Sequence, residues 1–281
     1  MNLWEKLLEL DRRWVFLGIA LAVVIPIVTG YTLPQGKPAP PTVAVYDFVE
    51  ALEPGDAVMV AFDYSPSSMP ELHPQAYAVV RHLFQRDLRV LSVSLNPQGT
   101  ALGREVMATV GDELGMIDGV DYVHLGFKPG GSQVILGMGE SIRQVYPTTG
   151  DGRTTATLPI MEDIDSYEDI ALLIDFAAGN LPFAWIAYAG ERYDQQMAAG
   201  ITAVMATDLY PYLQSDQLVG LINGLKGAAE YELLMELDPA IAPGMLGMSA
   251  QSIAHLLIIV LVILGNIAYF ASGRHRQRQG R

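Results

Sequence analysis

The stretch Ala57-Val-Met-Val-Ala-Phe-Asp63, with the loop Tyr64-Ser-Pro-Ser-Ser-Met-Pro-Glu-Leu-His73 behind it, decides the fold. An unbroken apolar run that ends on a carboxylate and opens into a turn reads as a strand buried on both faces. Such strands lie at the centre of parallel sheets. Runs at residues 88–95, 120–127, 170–177 and 197–206 predict four further strands. Between them lie apolar stripes at helical spacing, first Ala76, Val79, Val80, Leu83 and Phe84, then Leu102, Val106, Val110 and Leu114. Residues 42–53, 182–194, 207–213 and 215–237 also read as helices, the last broken near Asn223-Gly224. This alternation predicts a mostly parallel five-stranded sheet with helices on both faces. The class is α/β, a three-layer flavodoxin-like or Rossmann-like domain over residues 42–238.

Outside that domain the chain changes character. Trp14 to Tyr31 reads WVFLGIALAVVIPIVTGY and Ser252 to Ser272 reads SIAHLLIIVLVILGNIAYFAS, both without formal charge if His255 is neutral. Each is long enough to cross a hydrocarbon core of about 30 Å. Pro/Gly-rich stretches at 32–41 and 239–251 read as irregular linkers. Arg12 and Arg13 precede the first span, and Arg274, Arg276, Arg278 and Arg281 follow the second. The positive-inside rule then puts the N-terminus (1–13) and the basic tail (273–281) in the cytoplasm. Residues 32–250 fall outside the cell (inner) membrane. A cleaved signal peptide with Val28-Thr-Gly30 as the cleavage region is the alternative for the first span. Leu3, Trp4, Leu7, Leu8 and Leu10 have the spacing of a short interfacial helix, against an ordinary lead-in. His255 and Asn266 are the notable polar groups in the spans. Packing between the two spans is the default for both, and a contact from Asn266 to a partner helix is the alternative.

Charge and cysteine content exclude several functions. The chain has 17 Lys and Arg against 31 Asp and Glu, and no cysteine. Most of the acidic excess lies between the spans, so nucleic acid is a poor partner. Disulfides and thiolate metal sites are ruled out.

In open α/β sheets ligands bind beyond the carboxyl ends of the strands. The candidates there are Asp63, Ser65, Ser67, Asn96, Lys128, Gly130, Gly131, Asp175 and Thr207. If their strands are neighbours, Asp63 and Asp175 can share Mg²⁺ or another divalent cation. Each feature also has a structural explanation. Ser68-Met-Pro-Glu71 has capping-box spacing, and Pro74 suits a first helical position. Lys128-Pro-Gly-Gly131 reads as a tight turn before it reads as an anion cradle. The acidic run Glu162 to Asp169 reads as a solvated loop in which Ser166 and Asp169 start a helix. His73 and His82 lack a nucleophile motif, and His82 reads as a surface or half-buried side chain. Tyr210 and Tyr212 are either core or a contact surface for a membrane or protein partner.

Asp63-x-Ser65-x-Ser67 resembles the DxSxS cation motif of von Willebrand factor A domains, with Pro66 where that family often has glycine. The resemblance implies a divalent-cation site at Asp63, Ser65 and Ser67. Glu71-Leu-His-Pro74, Arg81-His-Leu-Phe84, Gly126-Phe-Lys-Pro-Gly-Gly131 and Tyr210 to Glu232 resemble prokaryotic membrane proteins of the same two-span layout. That second resemblance implies architecture and no site residues. The sequence reading is therefore a non-enzymatic accessory or assembly subunit of a membrane complex, with the lipid bilayer and another membrane protein as partners. An extracytoplasmic domain that binds or senses a small ligand or cation is one alternative, and a cation-dependent hydrolase is another.

Overall fold

The computed structural model describes residues 11–279. The interfacial helix expected over Leu3 to Leu10 and the last tail residue, Arg281, lie outside the described residues. The chain divides into two units, residues 35–244 and the two terminal segments 1–34 and 245–281.

The larger unit holds one six-stranded sheet. In chain order its strands are β1 (Ala57–Asp63), β2 (Arg89–Ser94), β3 (Tyr122–Phe127), β4 (Leu172–Ala177), β5 (Met197–Ile201) and β6 (Gly220–Asn223). They pair in the order β3-β2-β1-β4-β5-β6, every pair parallel. That is the doubly wound dinucleotide-fold order, not the 2-1-3-4-5 flavodoxin order. The sixth strand corrects the five-strand expectation. Gly220-Leu-Ile-Asn223 is too short to show a period of its own, and the helix after it, Gly224–Leu234, blurs the boundary.

Successive strand residues point to opposite faces, and both faces are apolar. Val58, Val60, Phe62, Ile174 and Phe176 build one core; Met59, Ala61, Leu173, Ala199 and Ile201 build the other. This is why the strands read as unbroken apolar runs. The first core is covered by α2 (Pro40–Glu50), α3 (Met69–Gln85), α4 (Gly99–Leu114) and the helix after β6. The second is covered by α5 (Ser132–Glu140), the segment 181–193 and α6 (Ala206–Gln214). In that segment a π turn, Ile186–Gly190, interrupts the helix expected over 182–194.

Several local expectations are corrected. Ser68 has helical backbone angles and makes no side-chain cap, and Glu71 reaches across to accept from Ala203 N at 2.8 Å. Pro74 lies inside α3, and Pro70 takes the early position instead. Ser166 and Asp169 do form a capping box, on the short helix Tyr167–Asp169. The second linker shrinks to a turn, Pro239–Ile241, before a long helix opens at Pro243 and runs to Gln279. Proline is pre-organised for that first position, and Met, Leu and Ala after it favour helix.

The terminal unit holds α1 (Arg12–Thr29) and most of the last helix, α8 (Pro243–Gln279), α7 being Gly224–Leu234. Both are long and apolar enough to cross a membrane. They touch where a Cβ on Gly18 would meet Leu257 at 3.7 Å. Their other faces carry exposed apolar side chains, Phe16 at 64% and Leu256 at 63% among them. His255 and Asn266 are exposed rather than packed between the two helices, which corrects the default reading for both.

Candidate functional site

The strand order reverses between β1 and β4, and there the two expected carboxylates meet. Asp63 pairs in register with Ala177, and Asp175 stands two residues earlier on the same face of β4. Asp63 is fully engaged. Its Oδ1 accepts from Leu95 N at 2.6 Å and Asn96 N at 3.3 Å, and its Oδ2 accepts from Trp185 Nε1 at 2.9 Å. Neither oxygen of Asp175 meets an N–H or O–H donor among the described residues. Burial pushes the Asp63 carboxyl up to about 6, against those three donors. Burial first, then the facing Asp63, raises Asp175 well above the usual carboxylate range. One proton held between the two facing carboxyls accounts for both directions.

Side chains seal the pair. Asp175 and Trp185 are 0% exposed, Tyr146 2% and Asp63 3%. The Tyr146 hydroxyl is buried without a partner among the described residues, and burial, then the charge of Asp63, raises its pKa. Lys128 lies with its Nζ 5.8 Å from the Tyr146 ring centre. Below, Gly99 at the start of α4 presses on β1: a Cβ there would sit 1.8 Å from the Phe62 carbonyl oxygen.

The other expected residues divide between this place and elsewhere. Asn96 joins it through its backbone, while its side chain accepts from Gln98 N at 3.0 Å. The Ser65 and Ser67 hydroxyls bond each other at 2.8 Å. Gly130 and Gly131 have φ of 133° and 51°, so the turn itself requires glycine there. Thr207 sits exposed in the first turn of α6. Tyr210 is 41% exposed, whereas Tyr212 is half-buried and packs on Phe183 with ring centres 5.7 Å apart. The acidic run is structural: Asp163 pairs with Arg89 and Asp165 with Arg143.

A shared cation does not fit the donor set. Among the described residues no group of three or more carboxylate or imidazole ligands converges. Three N–H donors already occupy Asp63, and Mg²⁺ asks for about six oxygens. Trp185 and Tyr146 are the site residues the sequence did not offer. One signal for Trp185 existed: it is the only tryptophan beyond residue 14, and a buried indole N–H needs an acceptor.

The two α3 histidines make matching relays on opposite faces of that helix. His73 Nε2 donates to Glu105 at 3.0 Å and Nδ1 accepts from the Tyr64 hydroxyl at 2.7 Å. His82 Nε2 donates to Glu50 at 2.9 Å and Nδ1 accepts from the Tyr231 hydroxyl at 2.8 Å. The carboxylates can only accept, which fixes both tautomers. His82 is 3% exposed, buried where a surface or half-buried position was expected. Burial, offset in part by the neighbouring glutamate, lowers the pKa of each histidine. The relays tie α3 to α4 through His73, and to α2 and α7 through His82. Tyr231→Phe leaves the buried Nδ1 of His82 unpartnered. It is expected to cost about 1–2 kcal/mol in urea unfolding of the full chain in detergent. Tyr64→Phe should cost less, because His73 is nearer to solvent and water can replace the hydroxyl.

No family profile and no curated protein matches this chain.

Proposed function

We propose that the chain is a membrane-anchored accessory subunit whose three-layer, Rossmann-like domain docks another membrane protein on the outer side of the cell membrane. The observation that carries this reading is the sealed switch point. The crevice in which such folds bind and transform ligands is filled here by Trp185, Tyr146 and the carboxyl pair, none more than 3% exposed. Apolar side chains stand on the same carboxyl edge of the sheet. Val204, just beyond β5, is 82% exposed, and Phe127, which ends β3, is 36% exposed. An edge closed to small molecules but apolar at its rim suits a protein contact. The arginines flanking α1 and α8 support cytoplasmic termini and an extracytoplasmic domain.

Purification of the full-length protein in mild detergent tests the reading. The expected result is a stoichiometric membrane protein that Val204→Lys removes without lowering the melting temperature. A chain that emerges alone, under conditions that keep other complexes intact, overturns the docking role. A C-terminal reporter active outside the cell overturns the orientation.

A small-ligand role finds support at a different place. A cavity of about 310 Å³ lies between α3, α4 and the turn after α7, lined by Tyr77, Arg81, Thr109, Glu113 and Ile241. Ligand-induced stabilisation that Thr109→Trp abolishes would favour that role.

A further inference from the structure

We infer that α8 is a self-association helix, and that two copies of this chain pair in parallel through a seam centred on Asn266. The inference rests on the membrane-spanning reading above. Leu257 marks the face of α8 that meets α1, since its Cδ2 lies 3.7 Å from a Cβ built on Gly18. Ala268, three turns further on that side, is 0% exposed. Asn266 is nine residues from Leu257, and at about 3.6 residues per turn it points the opposite way. It is exposed, as the geometry requires.

An exposed amide inside an apolar span faces hydrocarbon, where its donors and acceptors find nothing unless another helix supplies partners. Its neighbours define the shape of that partner. His255, Ile259, Val262 and Asn266 follow one another at steps of four, three and four, the spacing of a heptad seam. All four are exposed, Ile259 at 55% and Val262 at 56%. Asn266 stands one heptad after Ile259, at the same seam position. In parallel helix pairs a single asparagine at that position fixes register and a two-stranded state.

The occupant follows from topology and chemistry. Two copies inserted by the same charge rule enter the membrane in the same sense, so their α8 helices are parallel. Each seam residue then meets its own counterpart across a two-fold axis. An amide both donates and accepts, so Asn266 complements itself, which neither a carboxylate nor an ammonium would do. No Asp, Glu, Lys or Arg lies between Ser252 and Ser272 to demand an oppositely charged partner helix.

The chain lacks cysteine, so single cysteines report without background. In membranes holding the full-length protein, oxidation is expected to give disulfide dimers for Asn266→Cys and Ile259→Cys. None is expected for Leu264→Cys, which lies on the side of Leu257. In mild detergent, differently tagged copies should co-purify. Asn266→Leu should weaken their association by about threefold to thirtyfold, the range for one interhelical hydrogen bond in lipid. Equal crosslinking at Leu264, a tagged copy that never recovers its twin, or an unchanged association for Asn266→Leu overturns the pairing. Crosslinks from position 266 to a different protein overturn it in favour of a foreign helix. Alkaline extraction separates the two levels. A chain released by alkali fails the membrane reading itself, whereas a chain retained but monomeric fails only the dimer.

Discussion

Replacing Trp185 with alanine should destabilise the domain by about 3–5 kcal/mol, the range for deleting a large buried aromatic side chain. Trp185 is 0% exposed and packs in the core on the α5 and α6 side of the sheet. Its loss leaves a cavity beside the switch point and removes the Nε1–H that Asp63 Oδ2 accepts at 2.9 Å. Water entering that cavity would reach both carboxylates, so the Asp63 carboxyl should fall back from about 6 toward its ordinary 3.8. Trp185→Phe separates packing from hydrogen bonding. It keeps most of the apolar bulk, so its cost should be about 1–3 kcal/mol, that of one unpartnered buried acceptor. Urea unfolding of the full chain in detergent measures both. If the alanine variant lost less than about 1 kcal/mol, Trp185 would be a loosely held lid instead of a structural plug. The closed-crevice basis for the docking role would then fail.

The limits of sequence reading fall at identifiable places. The first five strands were legible because both faces of the sheet are covered, which forces unbroken apolar runs such as Ala57 to Phe62. β6 was not, since four residues carry too little pattern. The partnership of Asp63 and Asp175 was legible only as a condition. Both sit near strand ends in the sequence, but strand order decides whether they meet, and composition does not encode strand order. Trp185 reaches Asp63 across 122 positions, a distance at which periodicity says nothing. Short-range motifs failed where a distant group competed. Ser68 and Glu71 have the spacing of a cap, yet Glu71 is drawn to the backbone N–H of Ala203. Ser166 and Asp169 have no such competitor and cap as their spacing predicts. Local chemistry is therefore readable here when its residues stay local.

The same pair of carboxylates gives the second large effect, an Asp175→Asn protein that is more stable than the parent at neutral pH. A carboxyl raised in the folded state contributes stability that is present below its unfolded pKa and lost as pH rises. Asp175 is held well above 3.8, so between that value and its folded pKa the unfolded chain ionises while the native chain does not. Each pH unit in that window costs the parent about 1.4 kcal/mol. Asparagine has the shape of the protonated acid, and its amide can still donate to Asp63, but it has no proton to lose. His124, whose pKa burial pushes down to about 4, stays in both proteins and cancels in the comparison. His124 acts with the opposite sign, losing stability as pH falls from 6.5, and would hide the carboxylates in the parent alone. The measurement is therefore the difference in unfolding free energy between variant and parent from pH 4 to 7. It should start near zero and climb. A difference that stayed flat would mean the two carboxyls share no proton. A variant that failed to fold at every pH would mean that the ionised form of Asp175 is what the native state needs, and would return a bound cation to the switch point.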